Sequence, residues 1–244
     1  MQPTALREEN VYTADPFLKY YEEFLELAAH DLGAPVRKLG VFTERLTSKY
    51  TDTGSSEEVK EYVGRIHSSL EELRALVNGM KEYSKLIPQA MNFTNCDTRE
   101  LLERALVSHD KLLKTEGTKI EYDDDLPVVF GDETQLNVLF KAIIDNCIKF
   151  RKKNIQLIIK ITVNEEDPSH YRFQITDNGI GLRDQQQERS FFPLKRIYGK
   201  TEYPGNGLGL ACVKRVAENH GGTVFFEEGR EEGASIIFII PKNQ

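Results

Sequence analysis

Two long runs of mainly apolar residues, spaced alternately four and three apart, limit what this chain can build. The first is Tyr21, Leu25, Ala28, Leu32, Pro35, Leu39, Phe42 and Leu46; the second is Val59, Val63, Ile66, Leu70, Leu73, Val77, Met80, Ser84 and Ile87. A 3.5-residue period lays each run along one stripe of an α-helix and fits no strand. Asp15-Pro16 reads as an N-cap with proline in the first turn. Thr53-Gly54-Ser55-Ser56 breaks the first helix, Ser55 with Glu58 forms a capping box for the second, and Pro88 ends it. The result is a helical hairpin. One hairpin has few ways to bury both stripes fully, whereas two form a four-helix bundle. A homodimer through residues 15–87 is therefore expected; the alternative is a monomer whose stripes pack on the rest of the chain.

Beyond the hairpin the pattern changes period. Residues 91–96, 118–122 and 128–130 read as strands, and Asp97 with Glu100 opens a helix to about residue 114. A longer helix follows over 133–150. Residues 155–163 and 171–176 pair across a turn holding Asp167-Pro168. A helix over 208–219 stops at Gly221-Gly222, and 223–226 with 234–240 close a last hairpin. The stretch 183–204 is long and polar for a connection in a compact domain, which suggests a lid. Elements mixed in this way suggest an α/β sandwich with helices on one sheet face. Three segments result: a flexible lead-in at 1–14, a helical-hairpin domain at 15–90 and an α/β domain at 91–244.

Charge and composition narrow the function. A formal net charge of −7 disfavours a general nucleic-acid partner. No run of eighteen apolar residues and no signal-peptide pattern occurs, so no transmembrane segment is expected in this chain; a cytoplasmic setting is expected for this region, with membrane attachment of a full-length protein left open. Cys96, Cys147 and Cys212 are dispersed, without metal spacing, and fit buried thiols in a reducing compartment.

Chemistry concentrates at two glycine-rich turns. Asp177-Asn178-Gly179-Ile180-Gly181 follows an alternating apolar run, and Gly205-Asn206-Gly207-Leu208-Gly209-Leu210-Ala211 runs into a helix. Glycine permits close approach to a ligand, and a helix start presents unpaired N–H groups that suit phosphate. An acid at a strand end, Asp177, can accept a hydrogen bond from an amino group such as that of adenine. Upstream, Asp132 is a candidate N-cap for the helix over 133–150. Leu136, Leu139, Phe140, Ile143, Ile144, Cys147 and Ile148 face a core, while Val138, Ala142, Asn146 and Lys149 share another face. An amide oxygen can ligate Mg²⁺ and an ammonium can meet phosphate.

In the first helix His30 sits two residues from Ala28 and two from Leu32, opposite the apolar stripe. Asp31 beside it can orient an imidazole or take its proton. Pro35 should kink the helix there. His67, His109, His170 and His220 have no comparable setting.

These pieces together resemble one family. Asn146-Cys147-Ile148-Lys149-Phe150, Asp177-x-Gly179-x-Gly181, Phe191-Phe192-Pro193-Leu194 and Gly205-x-Gly207-x-Gly209-Leu210 resemble, in order, the N, G1, F and G2 boxes of sensor histidine kinases. The run from His30 to Arg37 resembles their H box, and the lid over 198–205 is similar to those of phytochrome-like and PAS-linked kinases. The resemblance implies a helical hairpin, a four-helix bundle as a dimer, followed by an α/β sandwich of the Bergerat ATPase type. It implies ATP and Mg²⁺ as ligands, with Asn146 on the metal, Lys149 on phosphate, Phe150 near the adenine and Asp177 on its amino group. Gly179 and Gly181 complete that turn. Gly205, Gly207 and Gly209 let their loop wrap the phosphates, beside Leu208 and Leu210, with Lys195 and Arg196 closing from the lid.

The implied reaction is ATP-dependent autophosphorylation of His30, assisted by Asp31, then transfer to an aspartate on a response-regulator receiver domain. An upstream sensor domain or partner would lie outside this chain. Two positions depart from the family pattern. Ala142 stands where a polar residue is usual, so water activation for simple ATP hydrolysis is disfavoured. Ala34 stands four residues after His30, where many relatives carry Thr or Asn, and argues against strong phosphatase activity. The alternative reading is a catalytically impaired dimeric nucleotide-binding scaffold that sequesters a regulator.

Overall fold

The computed structural model describes residues 16–50, 56–86, 91–115, 117–199, 202–230 and 232–242; the side chains of 16–27, 29–31, 49, 50, 56, 58 and 184 fall outside that description. The expectations for Asp15, for the Ser55–Glu58 capping box, for Ile87 and Pro88, and for the side chains of Tyr21, Leu25, His30 and Asp31 lie outside the described residues.

Helix α1 spans Pro16–Tyr50 and helix α2 spans Ser56–Lys85, packed side by side. Helix α1 continues as helix through Pro35, which is buried. In α2 the expected single stripe divides into two. Val59, Ile66, Leu73 and Met80 are half-buried, whereas Val63, Leu70, Val77 and Ser84 are exposed. The fully buried positions are their neighbours Ser69, Leu76 and Tyr83. One helix in contact covers only part of a broad apolar arc, so the remainder of the stripe stays bare in a single chain.

After the hairpin comes β1 (Phe93–Asp97), which pairs antiparallel with β3 (Val128–Asp132) in a separate two-stranded sheet. Asp97 caps the next helix by accepting from the amides of Arg99 and Glu100. That helix is shorter than expected. It ends at Val107 as α3 (Thr98–Val107), and α4 (Asp110–Thr115) restarts after a turn in which the His109 amide donates to Leu106. The other five strands form one sheet in the order β2-β4-β5-β7-β6: β2 (Lys119–Tyr122), β4 (Ile158–Asp167), β5 (His170–Asp177), β7 (Ser235–Pro241) and β6 (Thr223–Phe226). Among the described residues β2 and β4 pair parallel and the other neighbours in this sheet pair antiparallel.

Helices α5 (Glu133–Lys149) and α7 (Gly209–Asn219) pack against each other, and α3 packs on α5. Phe140 of α5 meets Phe173 and Phe238 edge-on at 6.2 and 5.7 Å, and those two rings stack across β5 and β7 at 4.7 Å. This core sets the orientation of everything near it. The seven apolar residues expected to face inward from α5 are all buried. Along β5 the buried positions are Phe173, Ile175 and Asp177, so the period of two puts the carboxylate on the helix-facing side.

The root of α5 is fixed by two groups. Asp132 accepts from the amide of Gln135, and its own amide donates to Nε2 of His220 at 3.0 Å. Nδ1 of His220 then carries the proton and donates to the carbonyl of Val216 at 2.7 Å. The ring stacks on Phe93 at 5.0 Å, and its burial lowers its pKa.

The hairpin and the α/β domain touch. Asn219 donates to the carbonyl of Leu86, and Asn206 donates to the carbonyl of Ala75 at 3.2 Å. A side chain at Gly79 would run into Asn206 and Leu208. The second glycine turn therefore rests directly on α2.

Candidate active site

A cavity of about 300 Å³ opens between the last turns of α5, the end of β5 and the start of α7. That is the lower end of the range for small-molecule sites. Asn146, Lys149, Phe150, Asp177, Gly181, Lys195, Arg196, Gly205, Gly207, Gly209 and Leu210 line it. Four separate stretches of sequence thus converge on one space. Gly179 and Leu208 are buried behind the wall: the Gly179 amide donates to Asp177, and Leu208 lies under α2.

At one end is Asp177. Its Oδ1 accepts from the amides of Gly179 at 2.7 Å and Ala234 at 3.3 Å. Burial raises its pKa, while those two amides and the thiol of Cys147 pull it back. Gly179 must be glycine here, because a Cβ would lie 2.5 Å from the Phe150 carbonyl and 2.7 Å from Asp177 Oδ1. That carbonyl also accepts from the amide of Ile180, so the turn and the end of α5 are locked together.

Cationic groups and helix N–H groups meet at the other end. Lys149 is half-buried and, among the described residues, makes no ion pair; its Nζ lies 4.8 Å from the centroid of the Phe150 ring. Burial lowers its pKa, and the nearby Arg196 lowers it further. Asn206 accepts from the Leu208 amide at 3.1 Å, and among the described residues Leu208, the N-cap of α7, gives no side-chain cap to the amides that follow. Gly207 has φ +71, and a Cβ there would press on Leu194 and the Lys195 carbonyl at 2.9 Å. Its carbonyl accepts from the amide of Leu194, which closes the base of the lid. A cavity with a carboxylate at one end, and a lysine, an arginine and an uncapped helix start at the other, suits a ligand with an amino-bearing head and an anionic tail.

Asn146 stands between these ends. Its Nδ2 is buried and has no hydrogen-bond partner among the described residues. The amide can turn half a revolution and present its oxygen instead. An orphaned buried amide beside an anion-receptive loop fits Mg²⁺, which takes few protein ligands and fills its shell with phosphate oxygens and water. Among the described residues no group of three His, Cys, Asp or Glu side chains could hold a metal alone.

The lid is less open than its polar sequence suggested. It contains the short helix α6 (Asp184–Gln187) and a 3-10 turn, Glu188–Phe191, and Ser190, Phe191, Pro193 and Leu194 are buried. From this stretch Ser190, Lys195, Arg196, Ile197, Tyr198, Tyr203 and Pro204 line the cavity. Sequence reasoning also passed over three residues in the wall, Cys147, Tyr198 and Tyr203. Cys147 has the period of a core thiol and stands near the Asp177 carboxylate; burial first, then that charge, raises its pKa well above the usual value. Ala142 lines the cavity as expected, without an acid there. The adjacent Asp145 is bonded to His109 at 2.5 Å and to Lys141 at 3.0 Å. His30 and Asp31 belong to α1 by backbone; their side chains are outside the description.

Comparison with known proteins agrees with this architecture. Residues 131–244 match the model of the histidine kinase-, DNA gyrase B- and HSP90-like ATPase family, and residues 21–89 match the His kinase A phospho-acceptor domain. The chain is 31% identical to cyanobacterial phytochrome A of Nostoc over 90% of its length, covering 28% of that protein. It is 29% identical to the phytochrome-like protein Cph1 of Synechocystis, again over 90% of the chain and 29% of the relative. The chain thus spans less than a third of these relatives. Among solved structures, histidine kinase ThkA in complex with the response regulator protein TrrA superposes with a TM-score of 0.67 at 24% identity, over 93% of this chain and 63% of that one.

Proposed function

The chain belongs to the sensor histidine kinases, and from that premise we propose that it is an ATP-dependent protein histidine kinase that phosphorylates His30 and passes the phosphoryl group to a receiver-domain aspartate. The observation that carries this reading is the pairing of Asp177 at one end of the cavity with the ion-pair-free Lys149 at the other. The roles follow from chemistry. Asp177 accepts from the adenine amino group. Lys149, Arg196, Lys195 and the start of α7 neutralise the phosphates. Asn146 is the residue that would hold Mg²⁺, which when bound supplies further charge neutralisation. In the transfer step a neutral imidazole nitrogen of His30 bonds to the γ-phosphorus as the bond to the bridging oxygen breaks, and ADP leaves. Asp31 orients the ring and receives its proton. The protein contributes positioning and charge rather than covalent chemistry.

Homodimerisation through 15–87 is part of the proposal. Val63, Leu70 and Val77 form an exposed apolar row on α2 that a second hairpin would cover. The receiver-domain partner is proposed by analogy with the ThkA complex, a likeness of fold. The scaffold alternative rested on Ala142, and nothing else in the cavity favours it. Steady ATP hydrolysis lacks a base, since the nearest carboxylate along α5, Asp145, is tied to His109 and Lys141. Incubation with γ-labelled ATP tests the reading. Acid-labile, alkali-stable label is expected on the unaltered chain and none on His30→Gln; equal labelling of both rejects it.

A further inference from the structure

Asp145 stands four residues before Lys149 on α5, and both line the cavity. On a helix that spacing brings two side chains together, and an acid four residues before a lysine is the more stable of the two orders. Local chemistry alone therefore pairs Asp145 with Lys149. The structure shows other partners. Oδ2 of Asp145 accepts from Nζ of Lys141, four residues earlier, at 3.0 Å, and Oδ1 accepts from Nε2 of His109 at 2.5 Å. Lys149 makes no ion pair among the described residues, and its Nζ lies over the Phe150 ring.

His109 tips this choice, and the break between α3 and α4 puts it in place. Helix α3 ends at Val107 and α4 starts at Asp110. The His109 amide donates to the Leu106 carbonyl, and the His109 carbonyl accepts from the Leu113 amide, both at 2.9 Å. The backbone is thus held from both sides at the corner, with the ring against α5. The Lys141 side chain is 50% exposed, and an ion pair so open to water contributes little alone. The His109 side chain is 26% exposed, and a shielded hydrogen bond to a charged oxygen contributes more. Neither His109 nor Lys141 lines the cavity.

We propose that His109 and Lys141 are positioning residues: they hold Asp145 at the α3–α4 corner, out of ion-pair reach of Lys149, and so reserve the Lys149 ammonium for the phosphates of the nucleotide. The inference rests on the reading that the cavity takes ATP. Once the corner lets go, Asp145 pairs with Lys149 in the order that a helix favours. The cavity then offers a neutral pair where it had offered a cation. The polyphosphate loses a partner, and the Asp177 end is untouched.

The test measures binding of ATP, and of adenosine, which lacks the phosphates, to the intact chain without added metal. His109→Phe is expected to weaken ATP about threefold, the scale of a partly exposed ion pair, and to leave adenosine unchanged. Lys141→Met should act in the same direction, and it carries the test where His109→Phe fails to fold. Adding Asp145→Asn to either variant should restore ATP affinity, because the acid that captures Lys149 is gone. Lys149→Met should cost less in the His109→Phe chain than in the unaltered one, since both changes act through one ammonium. Unchanged ATP affinity in the single variants, a loss that persists with Asp145→Asn, or an equal loss of adenosine overturns the positioning role and leaves the kinase reading intact. Failure of the unaltered chain to bind ATP at all removes both.

Discussion

Asn206 donates through its side-chain amide to the carbonyl of Ala75, 3.2 Å away, and so fastens the second glycine loop to the hairpin. Gly79, one turn on, leaves room for that amide and for Leu208. Substituting Gly79→Leu should push the loop off α2. Hydrogen–deuterium exchange should then rise in residues 204–208 and in the facing turn of α2, with β5 and β7 unchanged. Unaltered exchange in the loop would mean that the contact does not restrain it.

Asp177 sets function against stability. Its folded pKa is raised, chiefly by burial, so it favours the fold while protonated and costs stability once pH rises through that pKa. Asp177→Asn should therefore match or exceed the unaltered chain in thermal stability at pH 7. The difference should shrink as pH falls and the carboxyl protonates. ATP affinity should drop at least tenfold, because one acceptor for the amino group becomes a donor. A variant that is less stable at neutral pH contradicts the sign.

His220 gives a slope of the opposite kind. Burial depresses its folded pKa below the ordinary 6.5. The stability it lends is present above that value and is lost as pH falls toward the folded pKa, because protonation removes the acceptor that Asp132 needs. Denaturant melts from pH 7.5 to 5 should show this loss, and His220→Gln should flatten the curve while lowering stability at pH 7.5.

Lys149→Met removes a half-buried ammonium that has no carboxylate beside it. Calorimetry should find ATP affinity reduced about tenfold or more. The melting temperature of the ligand-free chain should hold or rise, since the cation is desolvated and crowded by Arg196. A large fall in melting temperature would assign Lys149 to the scaffold.

Charges placed on the bare row of α2 should separate the dimer proposed above. Val63→Glu with Val77→Glu alters two residues that are 48% and 49% exposed in one chain. Sedimentation velocity should show a monomer with unchanged far-ultraviolet circular dichroism. A variant that still sediments as a dimer places the interface elsewhere.

Much of this site could be read from residue order because its parts are local. Asp97 and Asp132 cap helices within three residues, and the glycine turns stand next to the strand and helix they serve. The alternation along β5 was enough to aim Asp177 inward. Other features depend on contacts that no short window contains. The wall of Phe150, Tyr198 and Tyr203 exists only because Ile180 and Gly181 tie two distant segments to one turn. Cys147 has the period of a core residue, and only the approach of β5 gives its thiol a carboxylate. The break between α3 and α4 carries neither glycine nor proline, so periodicity ran through it. The divided stripe of α2 escaped notice because Val63 and Ile66 look alike until one neighbour is in place.

Leu194 has φ +63, a conformation that suits glycine, while its side chain is buried at the root of the lid. Holding a leucine there costs on the order of 1 kcal/mol or more. The Leu194 amide donates to the Gly207 carbonyl, so this costly backbone and the second glycine loop hold one another, and neither can relax without the other.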